Sequence, residues 1–117
     1  MLFRSTIWTG DGSASRAITN IASGASFQPD FTWIKCRSSA QTHVLQDVIR
    51  GATLPATLAS NSTAAEGGIS AQDYGGVTAF NSNGFTVGQG SYGGGNAAYV
   101  NYSGFTYVGW QIGRAHV

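Results

Sequence analysis

The densest group of side chains that could do chemistry lies in the second quarter of the chain. Trp33, Lys35 and Arg37 alternate within one stretch, and Asp47 and Arg50 follow shortly after. Residues two apart share one face of a strand, so the first three are expected side by side. An aromatic face flanked by charged groups can stack on a sugar ring and bind its hydroxyls. The same residues also fit a structural ion-pair cluster, in which Asp47 pairs with Arg37 or Arg50.

A second candidate is the Gly-rich segment from Gly88 to Asn96, which carries Gln89 and Tyr92. Tyr mixed with Ser, Gly and Asn is typical of adaptable recognition loops. Gln89, Tyr92 and Asn96 are therefore candidate ligand-binding residues, although a bare connector has the same composition. The segment formally contains GxGxxG, but it follows a hairpin strand and no helix comes after it, so dinucleotide binding is not indicated.

The residues needed for catalysis or metal binding are scarce. Cys36 is the only cysteine and stands among apolar neighbours, which indicates a buried thiol, with His43 as the one plausible activating base. A glycosidase needs two carboxylates about 5 to 9.5 Å apart, and no two acids here have a close strand spacing. Asp11 and Asp73 lie in Gly-rich turns that can contact calcium, although Asp-Gly is far more often only a turn. We expect no enzyme, no catalytic residues, no metal and no cofactor.

Composition narrows the class of partner. The chain has 117 residues, which is the length of one domain, and its net charge is only +1. No basic run offers an electrostatic footprint for nucleic acid or an anionic membrane. Charged residues make up 9% of the chain, against about 25% in typical soluble domains. The many small polar residues favour strands and turns over charged surface helices.

The last residues, from Gln111 to Val117, read as a translated sequencing adapter. The codons CAG ATC GGA AGA GCA CAC GTC TGA encode Gln-Ile-Gly-Arg-Ala-His-Val and then stop, which matches the chain's end. We therefore expect residues 1–110 to form one domain and 111–117 to be an artefactual tail. The chain is then a truncated fragment from metagenomic DNA, with Trp110 as its last wholly native residue.

Short runs with turn signals between them predict an all-β domain. Alternating or β-branched residues predict strands. The segment 43–50 could form either a strand or a helix, and we favour the strand by about two to one. The predicted strands are 3–9, 16–21, 31–36, 43–50, 77–80, 85–88, 97–101 and 105–110, with a further short one at 56–60. Asn83-Gly84 is expected to supply positive φ angles in a hairpin turn. No helix stands out, which is typical of an antiparallel β-sandwich or jelly roll.

Several ordered motifs carry a family resemblance. The stretch 27–39, FQPDFTWIKCRSS, resembles the F-x-P-D-F-V-W-I-K-N-R-S segment of phage-encoded sandwich domains of unknown function. Further matching segments follow the same order along the chain, namely 8–13, 43–51, 80–88 and 107–110. These domains occur in tail and other virion proteins and are similar to concanavalin A-like (laminin G-like) sandwiches. Cys36 stands where the pattern usually has Asn, and Gly109 where it usually has Ala.

The resemblance implies a virion structural or adhesion module on a phage tail or fibre. Its partners would be other virion protein chains and host-surface carbohydrate, with no nucleic acid and no membrane. The alternative is a glycan-binding module of a secreted bacterial protein. The family has no established activity, so the resemblance supplies context rather than a mechanism.

Overall fold

Two antiparallel sheets pack face to face in the computed structural model, which describes residues 2–20 and 26–114. Alternating or β-branched residues form most of the strands, as expected for half-buried sheets. The strands are β1 (Leu2–Thr9), β2 (Ser15–Thr19), β3 (Phe31–Cys36), β4 (Val44–Asp47), β5 (Gly76–Asn81), β6 (Gly84–Gly88) and β7 (Thr106–Gly113). The predicted all-β sandwich is confirmed.

The four-stranded sheet has the order β1-β7-β3-β4, and the three-stranded sheet has the order β2-β6-β5. Strand β7 therefore lies between β1 and β3, which are distant from it in sequence. Its last residues, from Gln111 to Gly113, pair with β1 and do not hang free. The adapter origin of these residues stays a prediction, because pairing in a sheet does not reveal the source of a codon.

The core between the sheets is built on aromatic and β-branched side chains. Trp8 stacks on Tyr107 with ring centroids 5.7 Å apart and meets Phe85 edge to face at 5.9 Å. Cys36 is 1% exposed and belongs to this cluster, so the predicted buried thiol is confirmed.

A row of polar side chains also lies inside the sandwich. Thr32, Gln46 and Gln111 are all fully buried, and the register places Thr32 between the other two on the inner face. The Gln46 amide donates to the Val77 carbonyl over 2.8 Å and accepts from the Val77 N–H over 2.7 Å. Because Gln46 lies on β4 and Val77 on β5, this amide joins the edges of the two sheets.

Three local predictions are wrong. The segment 97–101 is a turn and not a strand, and its apolar residues Ala97, Tyr99 and Val100 fill the core instead of pairing. A short helix, α1 (Ala71–Tyr74), and a 3-10 turn at Tyr92–Gly94 occur where no helix was expected.

None of the helices in the described residues is long and apolar enough to cross a membrane.

Two other predicted strands are only partly present. The segment 43–50 is a strand over Val44–Asp47 and then a turn. The segment 56–60 contributes a single bridge between Leu58 and Leu45. The predicted end of the second strand at residue 21, and all but the last residue of the loop predicted at 22–26, lie outside the described residues.

The hairpin between β5 and β6 is confirmed, but its turn differs from the expected one. Residues 82 and 83 form the turn, and Asn81 pairs with Gly84. Asn83 has no positive φ, whereas Gly84 has a φ of 147°. A Cβ on Gly84 would lie 2.0 Å from the Ile18 carbonyl oxygen. Gly84 is therefore needed for its conformation and for the close approach of β2.

Candidate functional site

The outer face of the four-stranded sheet is apolar over much of its surface. Alternation along β1 exposes Phe3 and Ile7, at 60% and 66%. On β3 the same alternation turns Phe31 and Trp33 outward, and on β7 it turns Trp110 in the same direction. A single exposed apolar residue on a protein surface is ordinary, but a contiguous group of this kind marks an interaction surface.

Two tryptophans form the centre of this face. Trp33 and Trp110 are direct partners in the β3–β7 register, and their rings meet edge to face with centroids 5.3 Å apart. Beside them lies a groove of about 340 Å³. Its lining residues are all aromatic or aliphatic: Phe3, Phe31, Trp33, Trp110 and Ile112. We call this groove with its five lining residues the aromatic groove.

Lys35 and Arg37 extend the line of outward side chains from Trp33, as the alternation predicts. The Lys35 ammonium donates to the Cys36 carbonyl over 3.1 Å and is half-buried. Arg37 follows the end of β3, where its backbone N–H donates to Thr106 and its side chain is exposed. Neither side chain lines the aromatic groove.

Asp47 and Arg50 form an ion pair with each other. The Arg50 Nε lies 2.6 Å from one Asp47 carboxylate oxygen, and the Arg50 backbone N–H donates to the other over 2.9 Å. Arg50 also donates to Glu66 over 3.0 Å. Burial alone raises the pKa of the Asp47 carboxyl, but these Arg50 hydrogen bonds outweigh it and hold that pKa below its usual range. Asp47 and Arg50 therefore fit the interpretation of a structural ion pair, since the charged groups of both have hydrogen-bond partners within the chain.

The three loop candidates lie beside a different cavity. This second cavity has a volume of about 430 Å³ and is lined by Leu54, Gln72, Gln89, Gly90, Ser91 and Gly94. Tyr92 is exposed and tilts against Tyr74 with ring centroids 5.3 Å apart. The Asn96 side chain accepts from the Ala98 N–H over 2.8 Å, and its backbone bridges to Gly90. Gln89 is thus the one predicted loop residue that lines the cavity.

The structure consequently divides the predicted site residues into two groups. Trp33, Lys35, Arg37, Asp47 and Arg50 belong to the four-stranded sheet and its edge, whereas Gln89, Tyr92 and Asn96 belong to the loop. The two cavities share no lining residue. Of the five residues that line the aromatic groove, sequence reasoning found Trp33 and missed the other four as site residues: Phe3, Phe31, Trp110 and Ile112. The signal was the alternation within β1 and β7, but which strands lie beside β3 depends on long-range pairing.

Cys36 and His43, the only pair considered for nucleophilic chemistry, have separate partners. The Cys36 thiol lies 3.9 Å from the Ser38 hydroxyl, and His43 Nδ1 lies 2.9 Å from the Ser60 hydroxyl. Desolvation, and then the nearby Lys35 charge, lower the pKa of His43. In the described residues, no cluster of three His, Cys, Asp or Glu side chains is arranged to hold a metal ion.

Asp11, considered above for calcium, serves the turn between β1 and β2. Its carboxylate accepts from the Ser13 N–H over 2.9 Å, from the Ser13 hydroxyl over 2.7 Å and from the Asn101 amide over 2.8 Å. These bonds, the Ser13 N–H first, lower the pKa of Asp11 to about 2. The Asp-Gly segment is therefore a hydrogen-bonded turn that ties the start of the chain to Asn101.

Comparison with known proteins gives one match. No curated protein and no solved structure matches the chain. One protein family, described as "Domain of unknown function (DUF7483)", matches residues 1–116. Since the match spans nearly the whole sequence, the chain belongs to this family.

Proposed function

We propose that this domain is a non-enzymatic structural and adhesion module of a phage virion, which contacts another virion protein chain through the aromatic groove. The observation that carries the proposal is the groove itself. Trp33 and Trp110 stand together on the outer face of a sheet whose other face is the core. Aromatic residues in apolar depressions are the usual anchors of protein–protein interfaces.

The chemistry of the groove favours a protein partner over a sugar. A sugar needs hydroxyl partners next to the aromatic ring, whereas the five lining residues are aromatic or aliphatic. Two charged groups on β3 and β4, next to the groove residues, are engaged elsewhere, Lys35 with a backbone carbonyl and Asp47, the register partner of Phe31, with Arg50. An apolar side chain from a neighbouring protein needs no such partners and gains from burial alone.

The assignment to a virion is supported by the resemblance of residues 27–39 and the later motifs to phage-encoded domains. On this proposal the chain adopts a concanavalin A-like version of the sandwich and is displayed on a tail or fibre. Repeated display on such a particle makes weak individual contacts effective together.

Sequencing the source DNA across the Trp110 codon and into the flanking genes tests the virion assignment. We expect a native continuation past Trp110 beside tail, capsid or terminase genes, in which a native residue takes the place of Ile112 at the groove. A genomic sequence that encodes residues 112–117 and stops among bacterial metabolic genes would contradict both the adapter origin and the virion assignment. The alternative of a secreted bacterial glycan-binding module would then lead.

Glycan contact is a second candidate function, and the loop cavity is the observation that favours it. Its lining includes two amide side chains, Gln72 and Gln89, and the Ser91 hydroxyl. Amides and hydroxyls are suitable partners for sugar hydroxyls. A glycan array probed with the wild-type chain and with Gln89→Ala tests this role. We expect hits that the substitution weakens, and an array without hits would remove glycan binding while leaving the protein contact intact.

A further inference from the structure

Strand β1 is one edge of the four-stranded sheet, and among the described strands only β7 pairs with it. Natural edge strands are usually protected by Lys, Pro, a bulge or a covering segment. β1 has the sequence LFRSTIWT, without Lys or Pro, and it pairs with β7 over its whole length without a register shift. Its one charge, Arg4, donates to the Asn20 carbonyl over 2.9 Å. As far as residues 2–20 and 26–114 show, the edge is therefore long, regular and open to pairing.

Hydrogen bonds at the ends of the sheet show which backbone groups face this open edge. The Gly10 N–H donates to Phe105, which continues the β1–β7 register by one residue. In an antiparallel ladder such hydrogen-bonded pairs alternate with non-bonded ones. Even-numbered residues of β1 therefore bond to β7, and odd-numbered residues direct their N–H and C=O groups outward.

Two hydrogen bonds on the side of β7 that faces β3 agree with this alternation of odd and even residues. Thr106 and Ile112, the β7 partners of Thr9 and Phe3, use their carbonyls to accept from Arg37 and Asp30 and not from β1. In the described part of the chain, the outward backbone groups of Phe3, Ser5 and Ile7 have no hydrogen-bond partner. The Thr9 carbonyl, by contrast, already accepts from the Arg16 guanidinium over 2.6 Å.

We propose that two copies of this chain pair antiparallel through β1, with Ser5 on the two-fold axis. In this register Phe3 of each copy lies opposite Ile7 of the other. All three residues present unpaired backbone groups to the edge, so the pairing forms complete hydrogen-bonded pairs on both sides of the axis. The two four-stranded sheets then become one continuous sheet.

The side chains favour a second copy as the occupant of this edge. Residues directly opposite each other in an antiparallel pair share a face, so Phe3 and Ile7, which are 60% and 66% exposed, cover each other. On the other face Arg4 lies opposite Thr6, so no like charges stand directly opposite. The inference rests on the β1 edge, which shares only Phe3 with the aromatic groove, and it stands whether or not the groove binds a virion protein.

A cysteine placed at the axis tests the register. Paired residues of this kind have Cα atoms about 5.5 Å apart, which suits a disulfide. We expect Ser5→Cys to form a covalent dimer under mild oxidation. Thr9→Cys is the matched control, because the two Thr9 residues would lie about 26 Å apart at 3.3 Å per residue. The wild-type chain is the second control, since Cys36 is buried. Equal cross-linking of the two variants overturns the proposed pairing.

Analytical ultracentrifugation of the whole chain tests the assembly itself. We expect a reversible dimer of twice the 12.1 kDa chain mass, and a monomer for Ser5→Pro, whose lost N–H faces the open edge and not β7. Ile7→Lys is the second disrupting variant, should the proline variant not fold. Ile49→Lys is its control, because Ile49 is 91% exposed in a turn outside β1. A wild-type monomer at millimolar concentration, or a dimer that survives both β1 substitutions, overturns the proposal.

Discussion

Thr32 shows how one hydroxyl can lower stability. Its Oγ1 is buried and has no hydrogen-bond partner among the residues that the structure describes, and the residue has no exposed surface. Thr32→Val replaces the hydroxyl with a methyl group of similar size, so we expect the free energy of unfolding to rise by about 1 kcal/mol. Thr32→Ser keeps the hydroxyl and loses a methyl group, and should lower it by a similar amount. Denaturant unfolding measures both, and a less stable valine variant would show that the hydroxyl has a partner.

The Asp11 carboxylate makes the free energy of unfolding depend on pH in the acid range. Its pKa is lowered from 3.8 to about 2, so the folded state favours the ionised carboxylate. This contribution to stability is complete above the ordinary pKa and is lost as the pH falls through the folded value. Asp11→Asn should therefore be less stable than the wild type at neutral pH, and the difference should shrink as the pH falls from about 4 to below 2.

Denaturant unfolding over a pH series measures this effect. Asp73→Asn is the control, because it also removes one carboxylate but no side-chain hydrogen bond within the described residues. A constant difference between Asp11→Asn and the wild type at all pH values would contradict the role of the ionised carboxylate.

Gln46 acts at the scale of whole elements, because its amide satisfies a backbone group at the edge of the other sheet. Gln46→Leu keeps the volume but leaves the Val77 N–H and C=O buried without partners. We expect a loss of roughly 2 to 4 kcal/mol in the free energy of unfolding. Gln28→Leu, at an exposed position, should change it by less than about 0.5 kcal/mol. Similar losses of unfolding free energy for the two substitutions would mean that the Gln46 amide does not stabilise the fold.

The elements that could be predicted are those with a local signal. β3 has the predicted bounds, 31–36, because its residues are β-branched or aromatic and alternate. Helix α1 has only four residues, too few for a helical period to appear. The segment 97–101 was wrongly predicted as a strand because its apolar residues signal burial, and a buried turn gives the same signal as a buried strand.

The candidate site was predictable only in part, for a related reason. Trp33 could be placed on an outward face from its own strand, together with Lys35 and Arg37. Its neighbour Trp110 could not, because their contact depends on β7 entering the sheet beside β3. Pairing between distant strands follows from the whole fold, and one strand's pattern does not specify it. The Asp47–Arg50 pair, three residues apart, was within reach of local reasoning.

At the scale of the whole molecule, the sandwich separates two kinds of surface. The four-stranded sheet carries the aromatic groove on its outer face, and the loop after β6 carries the more polar second cavity. With a net charge of +1, long-range electrostatic steering contributes little to partner choice. Shape complementarity and the burial of apolar surface at the aromatic groove are therefore the main determinants of any contact with another protein.

The most direct test of the groove is a binding titration. The products of the genes that flank the source sequence would be titrated with the wild-type domain, with Trp33→Ala and with Ile49→Ser, by isothermal calorimetry. We expect one product to bind, with affinity reduced roughly tenfold or more by Trp33→Ala and unchanged by Ile49→Ser, which removes an exposed apolar residue outside the groove. Binding that both variants retain in full would contradict a partner contact through the aromatic groove.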